Sequence, residues 1–348
     1  MTGHVRSPVK LAVIAREVGV SVSTVSKVVN GRADVAADTR SRVRAALRRN
    51  AYPMPSSPAR SAKVGSALLD VVIHELDSAW SSTLLSGVDR AAAERGLNLV
   101  VSTAQIDQSR PTPPRRWLDQ VAARGTSGVL GIMVDFTEAQ VDYLRDTEIP
   151  SVVIDPATEQ DRALTTVHLS NRDSEYRLTE HLIELGHKDI AVVIGNPSSL
   201  PAQERLDGFR AAMRAAGLPL RPEWCREGAF HRPAAQRAMT DLLSLPNPPT
   251  AVVFASDKGA LGGIAAAGLL GLRVPEDVSV TGFDDIPDAG DSVPALTTVR
   301  QPVEAMVEAA LRRIVDPPGA REAVPSNSGR IVCEAELVIR GSTAPPRR

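Results

Sequence analysis

The chain has 348 residues, a formal net charge of −1, two cysteines and 43% hydrophobic residues, enough for a large core and more than one domain. No apolar run reaches the ~18 residues of a membrane span and the N-terminus lacks a signal-peptide stretch, so a cytoplasmic protein is expected. The charge is unevenly spread: residues 1–63 carry 12 Lys and Arg against 3 Asp and Glu, net +9, while the remainder carries 28 against 38, net −10.

Arg6, Ser7 and Lys10 form a short polar arm ahead of residues 11–31, LAVIAREVGVSVSTVSKVVNG. Leu11, Ile14, Ala15 and Val18 fall at i, i+3, i+4 and i+7, which predicts a first helix with one apolar face. Gly19 ends it and Ser21 is a good N-cap for a second helix. Val25, Val28 and Val29 line that helix's packing face, leaving Val22, Ser23, Ser26 and Lys27 for a partner. Two short helices joined by a tight turn suit the major groove of DNA, and the basic charge of this head supplies the phosphate contacts. A third helix is predicted over roughly 38–50, with Val43 and Leu47 inward and arginines around the rest.

Residues 52–65, YPMPSSPARSAKVG, contain three prolines and admit two readings, a plain linker or a hinge that becomes helical on DNA. From about residue 66, apolar runs alternate with amphipathic helices. ALLDVVIHEL, LNLVVST, GVLGIMVD and PSVVIDP read as strands, followed after His168 by DIAVVIG, TAVVFAS and VSVTGFD. Repeated βα units with near-continuous apolar strands indicate parallel sheets covered on both faces, and their number predicts two α/β lobes.

Ligands of open parallel sheets bind beyond the carboxyl ends of the strands. Asp155 closes one strand here, Ser256 and Asp257 another, Asp284 and Asp285 a third. Carboxylates that accept paired hydroxyl hydrogen bonds beside an aromatic face suit a sugar. Cys225 and Cys333 form no metal-type pair and read as small apolar side chains. His181 and His187 suit a helix end, where a cation complements the dipole, better than a metal site. GALGGIAAAGLLG lacks G-x-G-x-x-G spacing, and no G-x-S-x-G or Walker A sequence occurs, so neither catalysis nor a cofactor nor a metal is expected.

The sequence resembles the LacI/GalR transcriptional regulators over nearly its whole length. IAREVGVSVSTVSKVVNG matches the family's helix-turn-helix. HLIELGHKDIAVVIG, ERLDGFRAAM, ASDKGALGG, VPEDVSVTGFDD, ALTTVRQP and ELVIRGST stand in the family's order. The resemblance implies a DNA-binding head (1–52), a hinge (53–65) and a periplasmic-binding-protein-like core (66–348). That core would comprise an N-lobe of about 66–167 and 297–328 and a C-lobe of about 168–296 and 329–348, linked by three crossovers. It implies a homodimer on a pseudo-palindromic double-stranded operator, responsive to a small-molecule effector, with a sugar favoured over a nucleoside or purine.

By the same resemblance, Val22, Ser23 and Lys27 read bases, while Thr24, Ser26 and Asn30 hold phosphates or orient the helix. Arg60 and Ser61 seat the hinge, where Ala62 replaces the usual wedging leucine, and a methyl is a poor wedge. The effector positions map onto Ser78, Trp80, Asp155, Asn171, Arg205, Phe230, Ser256 and Asp284. Arg205 and Asp284 would fork onto vicinal hydroxyls, with Trp80 and Phe230 stacked on the ring. An exported sugar-binding transport protein, the alternative from another class, would need the same core without the basic head.

Overall fold

The computed structural model describes residues 11–29, 35–50, 67–76, 79–104, 111–159, 164–228, 230–315 and 329–347. The expected contacts Asn30, Arg60, Ser61, Ala62 and Ser78, and with them the hinge, lie outside these residues. Two compact units, Met1–Gly65 and Ser66–Arg348, partition the chain.

The first unit contains α1 (Leu11–Val18), α2 (Val22–Val29) and α3 (Ala37–Arg49). Gly19 has φ +75, the left-handed conformation that ends α1, and its amide donates to the Ala15 carbonyl at 3.0 Å. Ser21 caps α2: its Oγ accepts from the Thr24 amide at 3.1 Å. Ile14, Ala15 and Val18 of α1 pack with Val25 and Val28 of α2 and with Val43, Ala46 and Leu47 of α3 in one small core. Arg42 donates to the Val18 carbonyl at 2.7 Å, satisfying a carbonyl at the end of α1 that has no partner within the helix. Glu17 binds both Arg49 and Asn50, tying α1 to the end of α3.

The second unit is two parallel sheets. The first runs β11 (Arg330–Cys333), β5 (Thr165–Leu169), β4 (Ser151–Ile154), β3 (Gly128–Ile132), β1 (Ala67–Ile73), β2 (Leu97–Thr103). The second runs β7 (Cys225–Glu227), β6 (Ile190–Ile194), β8 (Ala251–Phe254), β9 (Ser279–Thr281). β3 and β8 are buried along their whole length, which explains why their sequences are apolar throughout instead of alternating.

Helices cover both sheets. α4 (Ala79–Ala93), α5 (Arg115–Arg124), α6 (Glu138–Asp146) and α12 (Val303–Val315) belong to the first lobe. α7 (Asn171–Glu184), α8 (Leu200–Ala215), α9 (Arg232–Leu243), α10 (Asp257–Leu269) and the short α11 (Pro287–Asp291) belong to the second.

The chain passes between lobes at 169–171, between α11 and α12, and at 333–336, and β10 (Thr298–Arg300) pairs antiparallel with β12 (Glu336–Val338) beside these passages. One boundary differs from the sequence reading, which returned the chain to the C-lobe at 329. Arg330–Cys333 instead extends the first sheet in parallel register with Thr166–Leu169, so the last crossover follows Cys333. Nothing in the short, charged GRIVCEAE segment announces which sheet edge it joins. The histidine reading also changes. His187 is buried and bonded to Thr250, Ser279 and the Ala344 carbonyl, and burial lowers the pKa of both His181 and His187, so both favour the neutral form.

Candidate DNA-recognition surface and effector pocket

On α2, helical spacing alone separates an inner from an outer face. Val25 and Val28 are buried, whereas Val22 is 47% exposed and Ser23 and Lys27 are exposed with it. Thr24 and Ser26 lie between, half-buried, and the hydroxyls of Ser23 and Thr24 each sit 2.8 Å from Ser21 Oγ. The outer face therefore offers one methyl-bearing, one hydroxyl and one ammonium group near the start of a helix, a set able to touch a thymine methyl and base-edge acceptors.

In the second unit the strand ends converge on one cavity that opens to solvent. Trp80, Asp155, Arg205, Phe230, Ser256 and Asp284 line it, six of the eight positions expected. Asn171 is absent from the walls. It is buried, and its Oδ1 accepts from Arg205 Nε at 2.9 Å while its Nδ2 donates to Glu204 at 3.1 Å. It holds the arginine in place from behind the cavity wall.

Arg205 is the best-held group in the cavity. Its Nη1 donates to the Ala255 carbonyl at 2.5 Å and lies 3.6 Å from Asp284, and its guanidinium carbon is 3.6 Å from the centre of the Phe283 ring. Nη2 has no protein partner among the described residues.

Asp155 follows β4 at φ +43, and one carboxylate oxygen accepts from the Leu169 amide at 3.0 Å. Burial pushes its pKa up to about 6 against the lowering effects of that hydrogen bond and of Arg205. Asp284, at φ +122, accepts from Gln301 Nε2 at 2.7 Å. Burial pushes it up to about 7, with Arg205 pulling down and Asp257 and Asp155 adding upward repulsion. Each aspartate keeps its Oδ2 without a protein partner among the described residues.

Phe230, at φ +58, lays its ring on Gly195, where a Cβ would come within 2.0 Å of the ring. Trp80 belongs both to the core and to the cavity wall. Ser256 serves twice, as a wall and as the cap of α10, accepting from the Gly259 amide at 3.2 Å. Asp257 turns beneath the cavity, holding the Ile286 amide and the Thr298 hydroxyl and so fixing the 284–286 loop.

Ala79, between the expected Ser78 and Trp80, also lines the cavity, as do Glu75, Met133, Pro201, Lys258, Ile286 and Gln301, which were not singled out in the sequence. Glu75 and Met133 follow strand ends, and Gln301 sits in ALTTVRQP, so the signal existed for those three. Among the described residues there is no metal-binding cluster and no helix long and apolar enough to cross a membrane.

Residues 10–54 match the family description "Bacterial regulatory proteins, lacI family", and residues 179–343 match "Periplasmic binding protein-like domain". The chain is 32% identical over 331 residues to the HTH-type transcriptional repressor PurR of Haemophilus influenzae, covering 94% of this chain and 97% of that protein. Among solved structures it is similar to a transcriptional regulator CelR–cellobiose complex, with 27% identity, a TM-score of 0.68 and coverage of 96% and 99%. It is also similar to the lac repressor dimer bound to operator and the anti-inducer ONPF, with 27% identity, a TM-score of 0.69 and coverage of 97% and 100%. With a helix-turn-helix head, a two-lobed parallel-sheet core and a relative of this identity across almost its full length, the chain belongs to the LacI/GalR family of ligand-responsive, DNA-binding transcriptional repressors.

Proposed function

We propose that this repressor acts as a homodimer on a pseudo-palindromic operator upstream of carbohydrate-utilisation genes, and that a small sugar bound between the lobes changes its operator affinity. Val22, Ser23 and Lys27 read base edges, with Thr24, Ser26 and Asn30 on phosphates and Arg60, Ser61 and Ala62 at the hinge. Trp80, Asp155, Arg205, Phe230, Ser256 and Asp284 hold the effector, Ser78 is assigned to it by the family resemblance alone, and Asn171 stands behind Arg205.

The observation that carries the sugar reading is the fixed guanidinium of Arg205 beside Asp284, with carboxylate oxygens of Asp155 and Asp284 available, in a cavity that also holds the Trp80 and Phe230 rings. Adjacent hydroxyls can donate to the carboxylates and accept from the guanidinium, while an apolar ring face lies on an aromatic one. A purine or nucleoside is the second reading. Relatives named PurR favour it, and Trp80 and Phe230 could equally flank a flat base.

Calorimetric titration of the purified protein with neutral sugars and with purine bases and nucleosides separates the two. Binding of a sugar supports the first reading, and binding of a purine alone transfers the same cavity to the second. For the head, Lys27→Ala is expected to lower operator affinity by about 1–3 kcal/mol, the value of one good base contact. Unchanged affinity in a gel shift would remove Lys27 from the recognition surface.

A further inference from the structure

α8 touches the first lobe at two points one helical turn apart. The Leu200 amide donates to the Ala157 carbonyl at 2.7 Å, and Glu204 Oε1 accepts from Arg330 Nη2 at 2.8 Å. Ala157 follows β4 and Arg330 opens β11, both in the first sheet, whereas α8 belongs to the second lobe. The other oxygen of Glu204 accepts from Asn171 Nδ2 at 3.1 Å, and Asn171 in turn accepts from Arg205 Nε at 2.9 Å. One carboxylate thus joins the far lobe to the guanidinium of the cavity. We propose that Arg330 and Glu204 form a latch between the lobes whose closure positions Arg205, so that effector affinity and lobe arrangement depend on the same ion pair. The inference rests on the cavity being the effector site and holds for a sugar and a purine alike.

At the crossovers the lobes are joined by backbone, as where the Ser170 amide donates to the Cys333 carbonyl at 3.0 Å. The latch lies away from these passages, on side chains carried by different lobes, so parting the lobes breaks it. Glu204 is 19% exposed and Arg330 47%. When the lobes part, the arginine returns to water and Glu204 retains the Asn171 amide, so neither charge is stranded in an apolar setting. A pair of this exposure shifts an equilibrium by roughly two- to fivefold, enough to bias the lobes without locking them. Arg330 lowers and Glu204 raises the pKa of Asp155, which puts both charges within electrostatic reach of the cavity.

The test is hydrogen–deuterium exchange of the full chain, read by mass spectrometry, in Arg330→Gln, Arg330→Lys, Glu204→Gln and the Arg330→Gln/Glu204→Gln double variant. In both glutamine variants the segment around Leu200 is expected to exchange roughly two- to fivefold faster, since its amide is held by the first lobe. Arg330→Lys, which keeps the charge, should exchange like the unaltered chain. The double variant should be no faster than either single one, because all three lose the same pair. Unchanged exchange in β3 and β8 shows that the fold is intact. Raising NaCl from about 0.05 M to about 1 M should speed exchange in the unaltered chain and leave the glutamine variants unaffected. Exchange that stays the same in both single variants, or that rises additively in the double one, overturns the latch.

A second arm titrates the same chains with galactose, cellobiose, hypoxanthine and guanine. Any of these that binds the unaltered chain is expected to bind Arg330→Gln roughly two- to fivefold more weakly, with affinity restored in Arg330→Lys. Faster exchange with unchanged affinity overturns the positioning of Arg205 by the latch. If none of the four binds, the effector readings fail for these compounds, and the exchange measurement decides the latch by itself.

Discussion

Three carboxyls, those of Asp155, Glu175 and Asp284, share the field of one guanidinium, and Glu175 is the most perturbed of them. Burial pushes it up to about 8, Arg205 pulls the other way, and its Oε2 has no partner among the described residues. The folded chain therefore keeps a proton that the unfolded chain releases near pH 4.5. Between those two values folding takes up a proton, so stability falls as pH rises toward about 8. Glu175→Gln keeps the shape and removes the titration. Its melting temperature at pH 8 is expected to exceed that of the unaltered chain by roughly 2–4 °C or more, with the gap closing at pH 5. Equal pH slopes in scanning calorimetry would mean that Glu175 is ionised in the fold. Little of this was legible beforehand: SEYRLTEHL reads as an amphipathic helix with its acids in water, and only packing against α8 decides that this one is enclosed.

α7 and α8 carry the two halves of the arginine's support, Asn171 and Arg205, and they pack closely through Gly208. A Cβ built there would lie 2.2 Å from the Arg172 carbonyl oxygen and 2.9 Å from Glu175 Cβ, so any side chain must separate the helices. Gly208→Ala is expected to cost about 1–3 kcal/mol of stability, the usual penalty of overpacking. It should also weaken effector binding, because it shifts Asn171 away from Arg205. A variant that loses stability but binds effector normally would show that the 2.9 Å Asn171–Arg205 bond does not set the guanidinium's position. The two residues stand 34 positions apart on different helices. The sequence could nominate both as site residues, but which one faces the cavity and which one holds the other depends on how the helices cross.

The head and the core are chemically distinct parts of one chain, net +9 over residues 1–63 and net −10 over the rest. If effector and operator each favour a different arrangement of the same molecule, thermodynamics requires the coupling to be reciprocal. The effector is expected to change operator affinity by roughly 5–150-fold, and saturating operator DNA to change effector affinity by the same factor in the same sense. Fluorescence titration of each ligand with and without the other measures both factors at one salt concentration, since phosphate contacts make operator affinity salt-dependent. Unequal factors would mean that DNA and effector do not act on a single equilibrium.

The sequence by itself determined the local and patterned features. Gly19 and Ser21 set the turn of the head, the valines of α2 chose its buried face, and apolar runs placed most central strands with the carboxylates at their ends. These follow from backbone sterics and from side-chain period, which act over a few residues. It did not mark β5 as a separate strand, and it sent Arg330–Cys333 to the wrong lobe, because short strands with mixed polarity acquire an identity only from the edge they pair with. Tertiary structure alone decided that Asn171 sits behind Arg205 and that Glu75, Lys258 and Gln301 complete the cavity wall. Those relations depend on distances between residues far apart in the chain, and periodicity carries no information about them.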